Sequence, residues 1–326
     1  MRTFGKWLGR ALMTLVLALG ALWIFGPREP VMTSVRFNPD LLGENIDAYL
    51  ASVEGGFGDI TPGVEKRVHW ARGTGERTPL SLVYIHGFSA TSEEIRPVPD
   101  RVAEALGANL HYTRLEGHGR GGAPMGLATV EGWMGDVAEA LAVGRAIGDE
   151  VVVIATSTGA TLATVAATEP DLAEGVKGWI LVSPNMGINN PAAPLLTMPA
   201  ARHLLPPVFG RERSFEPQNE GHRRFWTTRY PTVAVMPMAA LVAHARDLDL
   251  SGIDAPALVF LSDDDRVVVP AEGRALADRW GGGAEVEALT MGAGDDPSSH
   301  VIMGDLISPG QTEAAAARMA EWIEGL

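Results

Sequence analysis

Cysteine is absent from the 326-residue chain. That excludes a disulfide framework, a thiol nucleophile and a thiolate metal site, while leaving either redox compartment open. A basic stripe is also lacking, and the formal net charge is −14. Phosphate backbones need clustered cations, which argues against nucleic acid as a partner, and the acidity reads as a solubilising surface. No internal repeat or low-complexity segment stands out.

What is present begins with apolar content. Hydrophobic residues make up 46% of the chain, enough for a sizeable core in two average domains or in one large α/β domain carrying an insertion. The first long apolar run is N-terminal. Arg2, Lys6 and Arg10 precede an uncharged stretch from Ala11 to Gly26, closed by Pro27 and Arg28. As a helix this stretch spans about 24 Å against a hydrocarbon core of about 30 Å. Trp7 and Leu8, with Arg10 snorkelling, bring it close to a full span. Ala18-Leu19-Gly20 offers a small-x-small cleavage site, but Ala21 to Phe25 continue the apolar run beyond it. The expectation is an uncleaved membrane anchor over residues 1–30. The preceding positive charges place the remaining chain outside the inner face, periplasmic or extracellular. Secretion after signal cleavage is the alternative.

Residues 31–63 form a polar lead-in in which Ile46, Tyr49, Leu50 and Val53 recur at helical spacing. From Val64 onward strands alternate with helices. The predicted strands are Arg67–Ala71, Leu80–Ile85, Asn109–Arg114, Val151–Ala155, Trp179–Ser183, Ala257–Ser262 and Val286–Thr290. Continuous apolar runs such as Val151 to Ile154 suit strands covered on both faces. Val130, Trp133, Met134, Val137 and Leu141 fall on one helical face behind a Thr129 cap. A C-terminal helix is predicted to open on a Ser308–Pro309–Gln311 capping box and to bury Ala315, Met319, Trp322 and Ile323. The alternation predicts an α/β fold, a mostly parallel central sheet flanked by helices. One interval breaks the rhythm. Residues 185–250, rich in Pro, Met and aromatics, read as an inserted cap between core segments 64–184 and 251–326. Such a cap would cover the C-terminal edge of the sheet, where open α/β sheets place their sites.

The chemistry-bearing residues lie at strand ends. Val151 to Ala155 runs into Thr156-Ser157-Thr158-Gly159-Ala160, with a helical stretch after it. Small residues two before and two after a serine allow the strained strand–turn–helix that exposes its Oγ. Tyr84-Ile85-His86-Gly87-Phe88-Ser89 leads an earlier strand into a Gly-containing loop. An ester hydrolase needs backbone N–H groups facing the developing oxyanion, which nominates Phe88 and Thr158. Asp263, Asp264 and Asp265 cluster at the end of a buried strand, and His300 follows the last strand. The order Ser, Asp, His differs from that of the chymotrypsin and subtilisin types.

On these motifs the chain from about residue 64 to 326 resembles the α/β-hydrolase superfamily, and within it bacterial carboxylesterases and monoacylglycerol lipases. The resemblance implies an oxyanion amide on Phe88, a nucleophile at Ser157 and the acid at Asp265, where Ser262 to Val268 match a G-x-x-D-x-x-V pattern. It implies the base at His300. Two departures stand out, Ala155 for the first elbow glycine and Ser262 for the glycine before the acid; neither removes a reacting group. Asp263 and Asp264 then read as solvated turn residues, and His86 and His118 as braces of their loops. The implied activity is hydrolysis of short- to medium-chain acyl esters, with a small-molecule ester as partner and no metal or organic cofactor. Serine at 157 argues against enzymes whose elbow carries a carboxylate nucleophile. A lactone, thioester or peptide would suit the same triad, and a membrane-tethered binding module without turnover is the alternative of another class.

Overall fold

The computed structural model describes residues 2–326. Among the described residues there are nine strands: β1 (Arg67–His69), β2 (Thr78–Ile85), β3 (Asn109–Tyr112), β4 (Gly148–Thr156), β5 (Val176–Val182), β6 (Glu212–Ser214), β7 (Arg229–Pro231), β8 (Ala257–Leu261) and β9 (Ala284–Ala288). Seven of them make one sheet in the order β1-β3-β2-β4-β5-β8-β9. Every pairing in it is parallel except β1 with β3. All seven strands expected from the apolar runs are therefore there, within a few residues of their predicted limits.

The sheet holds because its central strands bury both faces. Along β4, Val151, Val153 and Ala155 enter one core while Val152 and Ile154 enter the other, and all are fully buried. Each such side chain contributes about 1.5–3 kcal/mol on burial. The first core is closed by the helix Val130–Ile147, which brings in Trp133, Met134, Val137 and Leu141. Thr129 caps it, its hydroxyl accepting from the Gly132 N–H at 2.9 Å. The second core is closed by the C-terminal helix Thr312–Glu324 through Ala315, Met319, Trp322 and Ile323.

The predicted capping box at that helix does not form. Pro309–Gln311 make a 3₁₀ turn, and Ser308 supplies no cap. Its hydroxyl is recruited elsewhere: it donates to the Val301 carbonyl and accepts the Asp296 N–H at 3.0 Å. The hydroxyl thus pins the loop ahead of the helix.

In the lead-in, the helix Ile46–Glu54 is capped by Asn45, which accepts from the Ala48 N–H at 2.9 Å. It is tied to the body by buried charges, each paired. Glu54 takes a two-pronged bond from Arg114 at 2.7 Å in each arm. Lys66 reaches Asp136 at 2.8 Å and also Glu139, which accepts from the Tyr49 hydroxyl at 2.7 Å. Removing one member would strand a charge out of water, which is why such groups occur in closed sets.

Between β5 and β8 lie a 3₁₀ turn (Ala193–Thr197), helices Ala201–Phe209, Glu220–Phe225 and Val235–Arg246, and the two-stranded ribbon β6–β7. Val235–Arg246 does not stand apart from the body. Val235, Met238, Leu241 and Val242 share the first core with Val130–Ile147 and the helix after β4.

The helix Arg2–Phe25 carries a stretch, Lys6–Phe25, of mean hydropathy 1.9, and none of it is buried against the rest of the chain. Directly after it the chain is held to the segment between β5 and β8. The Ala200 N–H donates to the Pro27 carbonyl at 2.6 Å, Arg28 Nη1 to the Thr197 carbonyl at 3.1 Å, and Arg202 pairs with Glu29 at 2.5 Å.

Candidate active site

The site is built at the C-terminal ends of β4, β8 and β9, with β5 between the first two. β4 delivers Ser157 on a turn into the helix Thr158–Thr168, at φ +52° and ψ −115°. A serine in the left-handed half of the map is strained by about 1–3 kcal/mol, and a rigid surround must hold it there. The surround is visible: the Ser157 N–H donates to the Val182 carbonyl at 2.8 Å, and its carbonyl accepts from Asn185 and Thr161. Gly159 is forced by close approach, because a Cβ there would lie 2.4 Å from the Ile85 carbonyl oxygen. Ala155, two residues ahead of the serine, sits fully buried between β2 and β5 without such a conflict. The alanine departure from the usual glycine is accommodated by the strand.

β8 ends in the acidic cluster. Asp263 and Asp264 are exposed, and Asp263 pairs with Arg274 at 2.8 Å. Asp265 alone turns inward. Its Oδ1 accepts from the N–H groups of Val267 and Val268 at 2.7 and 2.9 Å, and its Oδ2 lies 2.8 Å from His300 Nδ1. The other ring nitrogen, Nε2, is 3.0 Å from Ser157 Oγ. Ser157, Asp265 and His300, widely spaced in sequence, thus form one hydrogen-bonded line.

His300 rides on a loop folded around Asp296. Oδ2 of Asp296 accepts from the N–H groups of His300 and Val301, and Oδ1 from Ser298 and from Gln218 Nε2. Burial pulls the imidazole pKa down, but the Asp265 carboxylate outweighs it, with Glu94 and Asp296 adding to the same side, so His300 titrates above its usual 6.5. A proton accepted from Ser157 is therefore well held.

Phe88 and Thr158 line the same cavity as Ser157, and among the described residues neither N–H has a hydrogen-bond acceptor. His86 and His118 lie apart from this line. His86 Nε2 accepts the Leu115 N–H at 3.1 Å, and His118 Nδ1 approaches the Glu116 carbonyl at 3.0 Å. Burial lowers both pKa values, that of His118 to about 4, so both are neutral props.

Ser157 and His300 open onto a cavity of about 500 Å³. Ile188, Leu196, Val235 and Met238 form its apolar wall, continuous with the first core. Glu94, Gln218, His222 and Asp296 line it elsewhere, so the cavity is apolar on one side and polar on another.

A family model described as "Alpha/beta hydrolase family" matches residues 82–315. The chain belongs to the alpha/beta hydrolase family. A curated relative, a thermostable monoacylglycerol lipase of Bacillus sp. (strain H-257), is 28% identical over 196 residues, covering 60% of this chain and 74% of that protein. Among solved structures, one from work on the metagenome-derived lipolytic enzymes LipS and LipT superposes with a TM-score of 0.66 at 21% identity, over 82% of this chain and all of that one. A soluble variant of monoglyceride lipase from Saccharomyces cerevisiae, in complex with a substrate analog, gives a TM-score of 0.59 at 14% identity, over 80% and 91% of the two chains. At these identities the structural likeness speaks for the fold.

Two members of the site escaped the sequence motifs. Asp296 does carry a local signal, since an aspartate four residues before the histidine in Asp296-Pro297-Ser298-Ser299-His300 is the pattern of a carboxylate turning back on its own loop. Glu94 had no local signal. Its neighbour Glu93 is a half-buried partner of Arg67 and Arg96, whereas Glu94 is 3% exposed and faces the cavity.

Proposed function

We propose that this lipase/esterase-type hydrolase cleaves carboxylic esters of short to medium acyl chains through a Ser157 acyl-enzyme. The observation that carries the proposal is the unbroken line Asp265–His300–Ser157, at 2.8 and 3.0 Å, opening onto a partly apolar cavity. His300 takes the Ser157 proton as Oγ attacks the ester carbonyl, and the N–H groups of Phe88 and Thr158 receive the oxyanion. His300 then protonates the departing alcohol, and water hydrolyses the acyl-enzyme through the same groups. Asp265 keeps the imidazole proton on Nδ1, so that Nε2 is free to accept. The monoacylglycerol lipase relative supports the ester class.

Residues 185–250 act as a cap. Leu196, Val235 and Met238 from this stretch bound the apolar wall of the cavity, which favours an acyl chain of limited length. The test uses esters graded from acetate to palmitate, with a fluorophosphonate probe to count active serines. Parent protein should be labelled and should favour short and medium chains, and Ser157→Ala should not be labelled. Faster hydrolysis of emulsified long-chain triglyceride than of short soluble esters would refute the bounded pocket.

The helix Arg2–Phe25 serves as an uncleaved anchor in the inner membrane, with the body on the periplasmic or extracellular side. Its unburied apolar stretch and the three preceding bases support this reading. Full-length protein should require detergent for release and should resist salt and carbonate, because apolar attachment is insensitive to both. Recovery of soluble protein lacking its first residues would show a cleaved signal peptide instead.

A further inference from the structure

Glu94 is a buried acid that the triad chemistry leaves unused. It belongs to the loop between β2 and the helix Val98–Leu106, and it has no cationic side chain paired with it among the described residues. Its Oε2 accepts the Gly87 N–H at 2.6 Å and the Tyr84 hydroxyl at 3.1 Å. Gly87 is the residue immediately before Phe88. It is also wedged tightly, because a Cβ placed on it would lie 2.7 Å from Glu94 Oε1 and 3.1 Å from the Ser157 Cβ. The Glu94 carboxyl and the serine thus both crowd the place where a Cβ on this glycine would stand, and both line one cavity with His300.

We infer that Glu94 is a positioning residue of the hydrolytic site, fixing the peptide that leads into Phe88 and holding a second carboxyl beside His300. This role rests on the ester-hydrolase reading, in which the Phe88 N–H is an oxyanion donor. The physical reason for a buried acid here is the rigidity it gives. The Phe88 N–H shares its peptide with the Gly87 carbonyl, which accepts from His86 Nδ1 at 2.9 Å and from the Ala90 N–H at 3.3 Å. The Thr227 N–H holds the Ser89 carbonyl at 2.7 Å, while Ser89 itself sits at a strained φ of +64°. At the other end of the turn, the Gly87 N–H has Glu94 as its acceptor. A charge-assisted bond of this kind is short and strongly directional. Without it the His86–Gly87 peptide loses its N–H acceptor, and the glycine that leads into the Phe88 donor is held from the carbonyl side alone.

The electrostatics tie Glu94 to the base as well. Burial pushes its carboxyl up to about 7, against the pull of the Gly87 N–H, the His300 ring and the Tyr84 hydroxyl. The groups facing this pair are Tyr84 from β2, Asp265 from the loop after β8, and Asp296 from the loop of His300 itself. The coupling is mutual: Glu94 raises the pKa of His300 as His300 lowers that of Glu94.

The test measures kcat and KM against pH on a soluble short-chain ester for the full-length parent, Glu94→Leu and Glu94→Gln, each normalised to phosphonate-titrated sites. Glu94→Leu should lose on the order of 10²-fold in kcat, the loss typical of one misplaced oxyanion donor, with KM nearly unchanged. Glu94→Gln keeps an oxygen for the Gly87 N–H and should recover most of that loss. Lacking the charge, its acid limb in kcat/KM should lie at lower pH than the parent's. A Glu94→Leu enzyme with the parent's kcat would overturn the role, and so would a Glu94→Gln enzyme whose acid limb has not moved. If Glu94→Leu does not fold, the Gln variant decides alone by its acid limb. Esterase activity of the parent is the control: an inactive parent would overturn the hydrolase reading itself.

Discussion

Replacing Ser157 with alanine should lower kcat by about 10⁶-fold, the scale seen when a triad nucleophile is removed. The reason lies in what the serine alone supplies. Its Oγ is 3.0 Å from His300 Nε2, and the strained turn that exposes it has no second hydroxyl equivalently placed. Thr156 and Thr158 flank it, but the Thr156 hydroxyl is paired with that of Tyr84 at 3.1 Å, and among the described residues neither threonine bonds to His300. His300→Ala should cost about as much as Ser157→Ala, and the double variant no more than either, because the two act as one unit. Multiplying losses in the double variant would mean that the residues act independently. A Ser157→Ala protein with substantial turnover would remove the acyl-enzyme from the mechanism. Fold must be checked alongside, and the substitution favours it: alanine relieves nothing essential in the core and leaves the Ser157 N–H bond to Val182 in place.

The sheet was legible because its strands are buried on both faces. A run such as Val151 to Ala155, or Ala257 to Leu261, needs no partner information to be recognised, since parallel central strands have no polar face to hide the signal. Strand ends were less legible. β5 begins at Val176, and Lys177 and Gly178 interrupt the apolar run before Trp179 restores it. The ribbon β6–β7 left no trace. Glu212-Arg213-Ser214 is polar and exposed throughout, and its partner ends on Pro231. These strands exist because they meet each other, a fact of tertiary structure. The helix Val235–Arg246 did carry a signal, nine successive uncharged residues from Val235 to Ala243, the mark of a helix buried nearly all round. Within the stretch read as a cap, it packs on the main core while lending Val235 and Met238 to the cavity wall.

The candidate reacting groups were legible for a different reason. Each sits at the C-terminal end of a recognisable strand or in the loop beyond it, and the chain order restricts which can be which. What could not be read was the scaffolding around them. The Ser308 hydroxyl looked like a helix cap and instead holds Asp296 and Val301, so the residue that fixes the histidine loop is itself fixed from the start of another helix. Glu93 and Glu94 are chemically identical in sequence, and only the packing of the loop turns one outward to Arg96 and the other inward to Gly87.

Asp265→Asn should reduce kcat on the order of 10⁴-fold while leaving the fold intact. The geometry dictates the direction. Oδ1 is held by two donors, the N–H groups of Val267 and Val268, and only an oxygen can satisfy them. An asparagine must therefore turn its oxygen toward these N–H groups and present its NH₂ to His300 Nδ1. The imidazole nitrogen, 2.8 Å away, would have to accept where it now donates. Its proton would move to Nε2, the atom that must be free to take the proton of Ser157, and the histidine would be held in the wrong tautomer. The loss of the carboxylate also removes the main influence that holds the His300 pKa above 6.5, which weakens the base a second time. Asp263→Asn and Asp264→Asn should stay close to the parent, since both side chains are exposed and Asp263 is engaged with Arg274 at the surface. Activity measured beside a thermal melt separates tautomer from fold. A near-normal Asp265→Asn enzyme, with Asp263→Asn or Asp264→Asn inactive, would move the acid to a neighbour and break the line from β8 to Ser157.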